Sequence, residues 1–465
     1  MVLKTGVNAK FMLLSIIVAA LVYWLAPPDM PLGIYAGKVY IEEAVAFEFS
    51  TALSDTSESD FITASSTDSG YNVTLTYRPV YRRGIGSKMY FELTVGKSDV
   101  EPSDVFIQLV HEDEGLEIKL SPYEYDKEQR LFKFRFTPLV KSKEVFAIFA
   151  FVAVAWFTEA LPIAVTALAI PVLLVSFRIT NASAATTPFF DPVNALLFGG
   201  FSLAIALSKF ELDKIMASAI LKRGLKTRNR LILAILTTSA LLSFWIPNTA
   251  TAFLMLPIVM GMLKGVKNAD DKFVKASLLA IAYGANIGGV ATIIGTTTPP
   301  LAVKYLELLL DKTISFTYWM FFGVPVAFLC IFAGWTVLRL YFKVQGDLEV
   351  EGVEVSEKKI PWTRERKLVL LVFAVTITLW GLSEWHELIF GFRISSGIIG
   401  LLASVLLFAL GLMSLDDLGK IDWSTILMVG GGIALGSAMA ATGLADWMAL
   451  QFTYLPKVHW MVALV

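Results

Sequence analysis

The sequence predicts a polytopic α-helical membrane protein with inverted repeats and a re-entrant hairpin, carrying a small all-β, sandwich-like domain near its start. Three observations lead there: a series of long apolar runs, a proline-containing polar break inside one of them, and a period-two stretch over residues 33–140. Of the 465 residues, 56% are hydrophobic and only 17% charged, outside the range of an ordinary soluble domain. A net charge of -1 offers no basic face to nucleic acid.

Apolar runs lie at about 11–26, 145–177, 193–221, 231–263, 276–310, 317–342, 367–390, 394–413 and 424–450. Several could cross roughly 30 Å of hydrocarbon; those interrupted by Pro, Gly or polar clusters read as discontinuous helices. The first run follows Lys4 and Lys10 and ends in the interfacial pair Tyr23-Trp24 without a small-x-small cleavage site. Residues 1–30 therefore read as a retained anchor. Next, Tyr71–Tyr77, Met89–Val95, Val105–Val110 and Leu131–Phe136 alternate apolar and polar residues between turn-forming clusters. That is the pattern of short antiparallel strands in a β-sandwich.

Basic residues set the orientation. Lys222, Arg223, Lys226, Arg228 and Arg230 crowd one loop; Lys264, Lys267, Lys272 and Lys275 crowd the next; Arg339 to Lys367 mark a third. The positive-inside rule places these loops and the N-terminus in the cytoplasm and residues 33–140 outside. Asn72-Val73-Thr74 and Asn181-Ala182-Ser183 are then possible glycosylation sites on the outer face. The run 231–263 begins and ends on the cytoplasmic side, so it dips in and returns, with Pro247-Asn248-Thr249 at its tip.

Two stretches echo each other, Asp191–Gly200 and Asp422–Gly431, with Gly199 and Gly430 offset by 231 residues. Upstream, Ala153–Glu159 resembles Val375–Glu384. An offset of this size fits a duplicated half rather than a solenoid, giving repeats at 145–343 and 367–465 joined by a cytoplasmic linker at 344–366. The same offset from Asn248 points to position 479, beyond Val465. The second repeat is thus expected to be cut short, or to work without a second tip.

Two clusters carry the chemistry. In the hairpin, Ser243, Pro247, Asn248, Thr249 and Thr251 interrupt an apolar run. The free amides of a half-helix start there suit a carboxylate or oxyanion, and Asn248 and Thr249 stand where N-caps stand. Side-chain and backbone oxygens around Ser243 and Asn248 suit Na⁺. In the second cluster, Ala285–Pro300, the Gly288-Gly289 pair lets carbonyls approach an ion, and Thr296-Thr297-Thr298-Pro299-Pro300 breaks the helix while supplying hydroxyls. Substrate-facing candidates are Asn248, Thr249, Thr251, Thr297, Thr298 and Pro299; Na⁺-facing candidates are Ser243, Asn248, Gly288 and Gly289. Small-residue helix packing is the competing reading of each cluster. Intramembrane polar breaks point to a secondary carrier.

Glu159 is a rare acid in an apolar run, read either as a proton relay or as a helix break at the membrane surface. Lys209, Glu211 and Asp213 are close enough in sequence to pair with one another. No Lys or Arg falls within either cluster, so anion recognition would rest on hydroxyls, amides and helix ends. The single Cys330 cannot form an intrachain disulfide. His111, His386 and His459 are scattered, with no metal-ligand spacing, and read as loop or interface side chains. No HExxH or GxSxG motif argues for an enzyme.

Trp156-Phe157-Thr158-Glu159-Ala160-Leu161-Pro162 resembles the Trp-x-Thr-Glu-Ala-Leu-Pro signature of the divalent anion/sodium symporter family. The hairpin is similar to that family's Ser-Asn-Thr motif, and Ile287–Pro300 to its Gly-Gly…Gly-Thr-Pro-Pro-Asn motif. The resemblance covers residue 145 to the end and leaves the β-rich segment outside it. It implies a homodimeric, elevator-type secondary transporter of dicarboxylates, citrate or sulfate, coupled to Na⁺. Ser243, Asn248 and the Gly288-Gly289 backbone match its first Na⁺ site, and Asn248 and Thr249 match positions that touch a substrate carboxylate. Pro247 stands where the motif has serine, and Leu301 where it has asparagine. A proton-coupled or exchange anion carrier, or a non-transporting membrane sensor acting through the β domain, are the alternatives.

Overall fold

A computed structural model describes residues 8–26, 33–41, 44–53, 62–66, 73–82, 86–95, 105–111, 117–120, 124–127, 129–136, 139–264, 270–310, 314–348 and 361–453, with single residues 100, 102, 122 and 266. The chain forms two compact bodies, residues 1–186 with 434–465, and residues 187–433.

In the first body, α1 (Ala9–Leu25) is apolar on every side, with Leu13, Leu21 and Leu25 exposed. A helix without a polar face belongs in lipid or a core. Nine strands follow: β1 (Gly33–Ile41), β2 (Ala44–Leu53), β3 (Ile62–Ser66), β4 (Val73–Arg82), β5 (Gly86–Val95), β6 (Val105–His111), β7 (Glu117–Leu120), β8 (Glu124–Asp126) and β9 (Leu131–Phe136). They make two antiparallel sheets, ordered β2-β1-β6-β7 and β3-β4-β5-β9-β8. Registers such as Val39↔Ile107, Leu75↔Leu93 and Phe91↔Phe134 align the inward side chains. One buried cluster draws Val39, Ile107 and Leu109 from the first sheet and Leu75, Phe91, Leu93, Phe132 and Phe134 from the second. The expected sandwich is present, and the alternation read at Met89–Val95 and Leu131–Phe136 is its inner-face pattern. Tyr71 and Asn72 lie outside the described residues.

The run 145–177 is two helices, α2 (Ser142–Phe157) and α3 (Ile163–Ser176). The break falls on Thr158–Pro162, where Glu159 adopts φ 50° and is exposed. Pro162 and the left-handed Glu159 end one helix and start the next, which favours the break reading of Glu159 over the relay. Val145, Ile148 and Val152 of α2 pack with Ile170 and Leu174 of α3 and with Ala434, Leu435 and Ala438. The short α4 (Ala182–Thr186) begins at Asn181, whose exposed side chain accepts from Ala184 N at 2.8 Å.

The second body holds α5 (Pro192–Lys209), α6 (Leu212–Gly224), α7 (Arg228–Ser243), α8 (Asn248–Lys264), α9 (Asp271–Gly289), α10 (Thr298–Leu310), α11 (Phe316–Tyr341), α12 (Arg364–Gly381), α13 (His386–Phe390), α14 (Ser396–Ala409), α15 (Leu415–Leu418) and the first part of α16 (Trp423–Ala441). Helix α17 (Leu444–Thr453) closes the described chain. Among the described residues, three helical stretches, Ala182–Lys209, Phe316–Tyr341 and Trp423–Ala441, are long and apolar enough to cross a membrane. A fourth, α12 with the segment Ser383–Phe390, bends by 61° at its break.

The two echoing motifs occupy matching elements. Asp191 caps α5 through Val193 N, and Asp422 caps α16 through Thr425 N. Their glycines serve packing: Gly199 lies against the backbone of Gly400 on α14, Gly200 against Ile294, and Gly430 against Phe189. His386, expected at an interface, is instead fully buried, with Nε2 2.9 Å from Leu379 O. Only this first residue of the helix is buried; Leu388, Ile389 and Phe390 are exposed. His459 is outside the described residues.

Candidate functional site

The apolar run 231–263 breaks between α7 and α8, at the proline the sequence singles out. Phe244, Trp245 and Ile246 still donate backward into α7, but Pro247 has no N–H and disfavours helix in the residue before it. A new helix starts at Asn248, with Thr251 N donating to Pro247 O at 2.9 Å. Asn248 is therefore a first-turn residue, one position inside the cap expected for it. The first-turn amides of α8 have no acceptor within the helix.

Side chains close the gap that the lost helical bonds leave. Ser243 Oγ donates to Asn248 Oδ1 at 2.7 Å and lies 3.3 Å from Ile246 O. Thr251 Oγ1 donates to Ile246 O at 3.4 Å, and Thr292 Oγ1 to Phe244 O at 2.5 Å. Asn248 Nδ2 donates to Asn286 Oδ1 at 3.1 Å. Buried carbonyls need such partners where water and lipid offer none.

The second break, residues 290–297 between α9 and α10, packs onto the first. Gly284 and Gly288 let α9 lie directly on the α7 backbone at Leu236 O and Ala240 O. Gly288 is thus a packing glycine, as the competing reading had it. Gly289 faces the Asn248 side-chain oxygen, and a Cβ on Gly295 would stand 2.7 Å from both Ser243 O and Gly289 O. The two breaks are therefore packed too closely at Gly289 and Gly295 for any side chain, and three oxygens, Asn248 Oδ1 at the first contact and Ser243 O and Gly289 O at the second, lie at these close approaches. Carbonyl and amide oxygens are the ligand type that hard cations prefer.

A cavity of about 540 Å³ opens beside the start of α8, where Pro247, Thr249 and Ala250 form one wall. The lining also takes in Ser208 and Lys209 from the end of α5, Asp213 from α6, and Lys420 and Asp422 before α16. Of the substrate-facing candidates, Thr249 lines this cavity. Thr251 is fully buried and turned into the break, while Thr297, Thr298 and Pro299 belong to the start of α10 and do not line this cavity.

The charges pair differently from their sequence spacing. Lys209 Nζ meets Asp417 Oδ2 at 2.7 Å, 208 residues away, and Lys420 Nζ meets Asp417 Oδ1 at 2.7 Å. Glu211 bonds Lys214 and Arg366 instead, at 3.0 and 3.1 Å. Asp213 accepts from its neighbour's backbone, Lys214 N, at 2.7 Å. The Lys209 and Lys420 ammoniums hold the Asp417 carboxyl well below the usual carboxylate range, whereas burial pushes Asp213 up. Fixed cations thus do reach the cavity, although none lies within either sequence cluster. The Lys209–Asp417 pair gave no local signal, because its members are 208 residues apart, whereas Lys420 is only three residues from Asp417.

The family model described as "Citrate transporter" matches residues 153–465. The chain belongs to the citrate transporter family. An uncharacterized transporter of Haemophilus influenzae is 31% identical over 328 residues, covering 68% of each chain. The sodium-dependent dicarboxylate transporter SdcS of Staphylococcus saprophyticus is 30% identical over 346 residues, covering 68% of this chain and 66% of its own. SdcS of Staphylococcus aureus strain MSSA476 is 29% identical over 350 residues, with the same coverage. The chain spans about two thirds of the length of these relatives. The family match begins inside α2, after the β-sandwich. As a citrate transporter family member with apolar helices of spanning length, the chain is an integral, multi-pass membrane protein and not an enzyme.

Proposed function

We propose that this citrate transporter family member carries small di- or tricarboxylates, or sulfate, across a membrane together with Na⁺. The observation that carries the reading is the convergence of two broken helices. Asn248 Oδ1 lies against Gly289 and Ser243 O against Gly295, while Pro247, Thr249 and Ala250 of the first break line a cavity. Na⁺, as a cargo, would be held by those oxygens. The anion would be received at Asn248 and Thr249 by the first-turn amides of α8, where a half-helix presents its positive end. A cation bound one residue away from these amides lowers the electrostatic cost of bringing an anion there, and the reverse holds equally. That mutual stabilisation is the coupling.

In the same reading the α7–α8 pair is a re-entrant hairpin, the halves beginning at α2 and α12 are inverted repeats, and a homodimer supports an elevator-type movement of the site between the two faces. What supports the sodium coupling is the oxygen set together with the relatives named sodium-dependent dicarboxylate transporters. Glu159, exposed at a helix break, offers little to a proton-coupled alternative.

Uptake into liposomes tests the proposal. Succinate, citrate and sulfate are offered separately, with Na⁺ or choline outside. Accumulation of at least one anion that stops in choline is the expected outcome. Equal uptake in choline overturns the sodium coupling, and no uptake of any of the three overturns the substrate class.

A further inference from the structure

We propose that the three basic loops at one end of the α7–α9 bundle form a binding surface for anionic phospholipid headgroups, an inference that stands on the membrane insertion and not on the transport reading. The loops are separate in sequence, at 222–230, 264–275 and 339–348, and hold eleven Lys and Arg against three Asp. The fold brings them to one place. Arg228 Nη1 meets Asp270 Oδ2 at 3.3 Å, and its guanidinium lies 5.5 Å from the centre of the Phe273 ring. Arg228 N donates to Gly346 O at 3.2 Å, and Trp335 Nε1 to Asn229 O at 3.1 Å. Beneath these contacts Leu221, Leu263, Val266, Phe273, Leu338 and Val344 share one buried cluster.

Few acids at this end are left to answer the cations. Asp270 accepts from Arg228 and, at 2.7 Å, from Phe273 N. Asp347 is held in an isolated antiparallel bridge with Thr227. Lys222, Arg223, Lys226, Arg230, Lys264 and Lys343 are exposed and form no ion pair among the described residues. Even when Glu349, Glu351, Glu354 and Glu357 of the linker are counted with Lys358 and Lys359, positive charge stays in excess. Orientation by the positive-inside rule needs only the number of basic residues on one side. It does not need them gathered and unpaired.

What the charge adjoins identifies its partner. Helix α11 is long and apolar enough to span, and most of it is uncovered. Its last turns leave Val337, Leu340 and Tyr341 exposed beside the exposed Arg339 and Lys343. An apolar face that passes into an aromatic and then into basic residues follows a bilayer from acyl chains to headgroups. Basic clusters at that depth attract anionic lipid, each Lys or Arg adding to the affinity and salt screening it. A soluble acidic partner would meet the charges but not the apolar flank. The lipid would sit on the same bundle that carries the break at Pro247.

The test is thermal stabilisation of the intact protein in neutral detergent, titrated with phosphatidylglycerol, phosphatidylcholine or free glycerol 1-phosphate. Wild type is expected to respond to phosphatidylglycerol at a concentration about tenfold or more below that for phosphatidylcholine, with the gap shrinking as salt is raised. The triple variant Lys222→Gln, Lys226→Gln, Lys343→Gln, built at exposed positions, is expected to lose that preference while answering phosphatidylcholine as wild type does. A second triple, Arg223→Gln, Arg230→Gln, Lys264→Gln, decides the matter where the first fails to fold. Equal response of wild type to the two lipids overturns the surface, as does a folded triple variant that keeps the preference. Free glycerol phosphate as effective as the lipid also overturns it, because that marks a small-anion site. A preference that emerges only after Glu349, Glu351, Glu354 and Glu357 are changed to Gln assigns the patch to the chain's own linker and overturns it too. No readout here involves succinate or Na⁺ coupling, so the transport reading stands or falls separately.

Discussion

At the scale of single residues, hydroxyls satisfy the carbonyls that the helix break leaves without helical partners. Thr292 Oγ1 serves Phe244 O across 48 residues of sequence. Replacing Thr292 by valine keeps the shape and strands a buried carbonyl, which costs about 1–3 kcal/mol; a lowered melting temperature in detergent checks this. Asp213 gives a pH signature. Its carboxyl is raised in the folded protein by burial, so the folded state holds its proton more tightly than the unfolded state. Stability from this group is complete below the ordinary carboxylate pKa of about 4 and declines as pH rises through the folded value. Asp213→Asn is therefore expected to melt higher than wild type at neutral pH, with the gap closing as pH falls toward 4; an unchanged gap contradicts the assignment. Local sequence made Ser243, Asn248, Thr249 and Gly289 legible, because proline, small polar residues and paired glycines betray a helix break by themselves. It could not show that Thr251 turns inward, since one position along a helix rotates a side chain by about 100°. Nor could it pair Lys209 with Asp417, because spacing arguments stop at the next turn of the same helix.

At the scale of elements, glycines decide which helices touch. Gly284 and Gly288 seat α9 on α7, and Gly199 with Gly400 seats α5 on α14. Gly288→Val would drive methyl groups into the Ala240 carbonyl and is expected to abolish a well-folded protein, seen as loss of a monodisperse peak in size exclusion. Gly261→Ala on α8 meets nothing within 4 Å and is expected to fold normally, with a slight gain from helix propensity. The runs of apolar residues located these helices well. What they did not reveal was function divided among glycines of one motif: Gly288 packs while its neighbour Gly289 faces Asn248. Facing directions 100° apart become apparent only once the partner helix is in place. The β-sandwich was legible for the opposite reason, since period-two alternation encodes the inner face directly.

At the scale of the whole molecule, the β-sandwich has its own buried core and lies before the family match. Removal of residues 33–140 is accordingly expected to leave anion uptake in place, whereas loss of uptake would make the domain part of the working unit. The central claim is that two broken helices jointly hold a cation next to an anion. Asn248→Ala tests it most directly, because it removes the amide oxygen that lies against Gly289 where the two breaks meet. Measured by thermal stabilisation, succinate is expected to protect wild type far more in Na⁺ than in choline. The Asn248→Ala protein, folded by the same assay, should show no such difference. A variant whose response to succinate still depends on Na⁺ as in wild type would contradict the account.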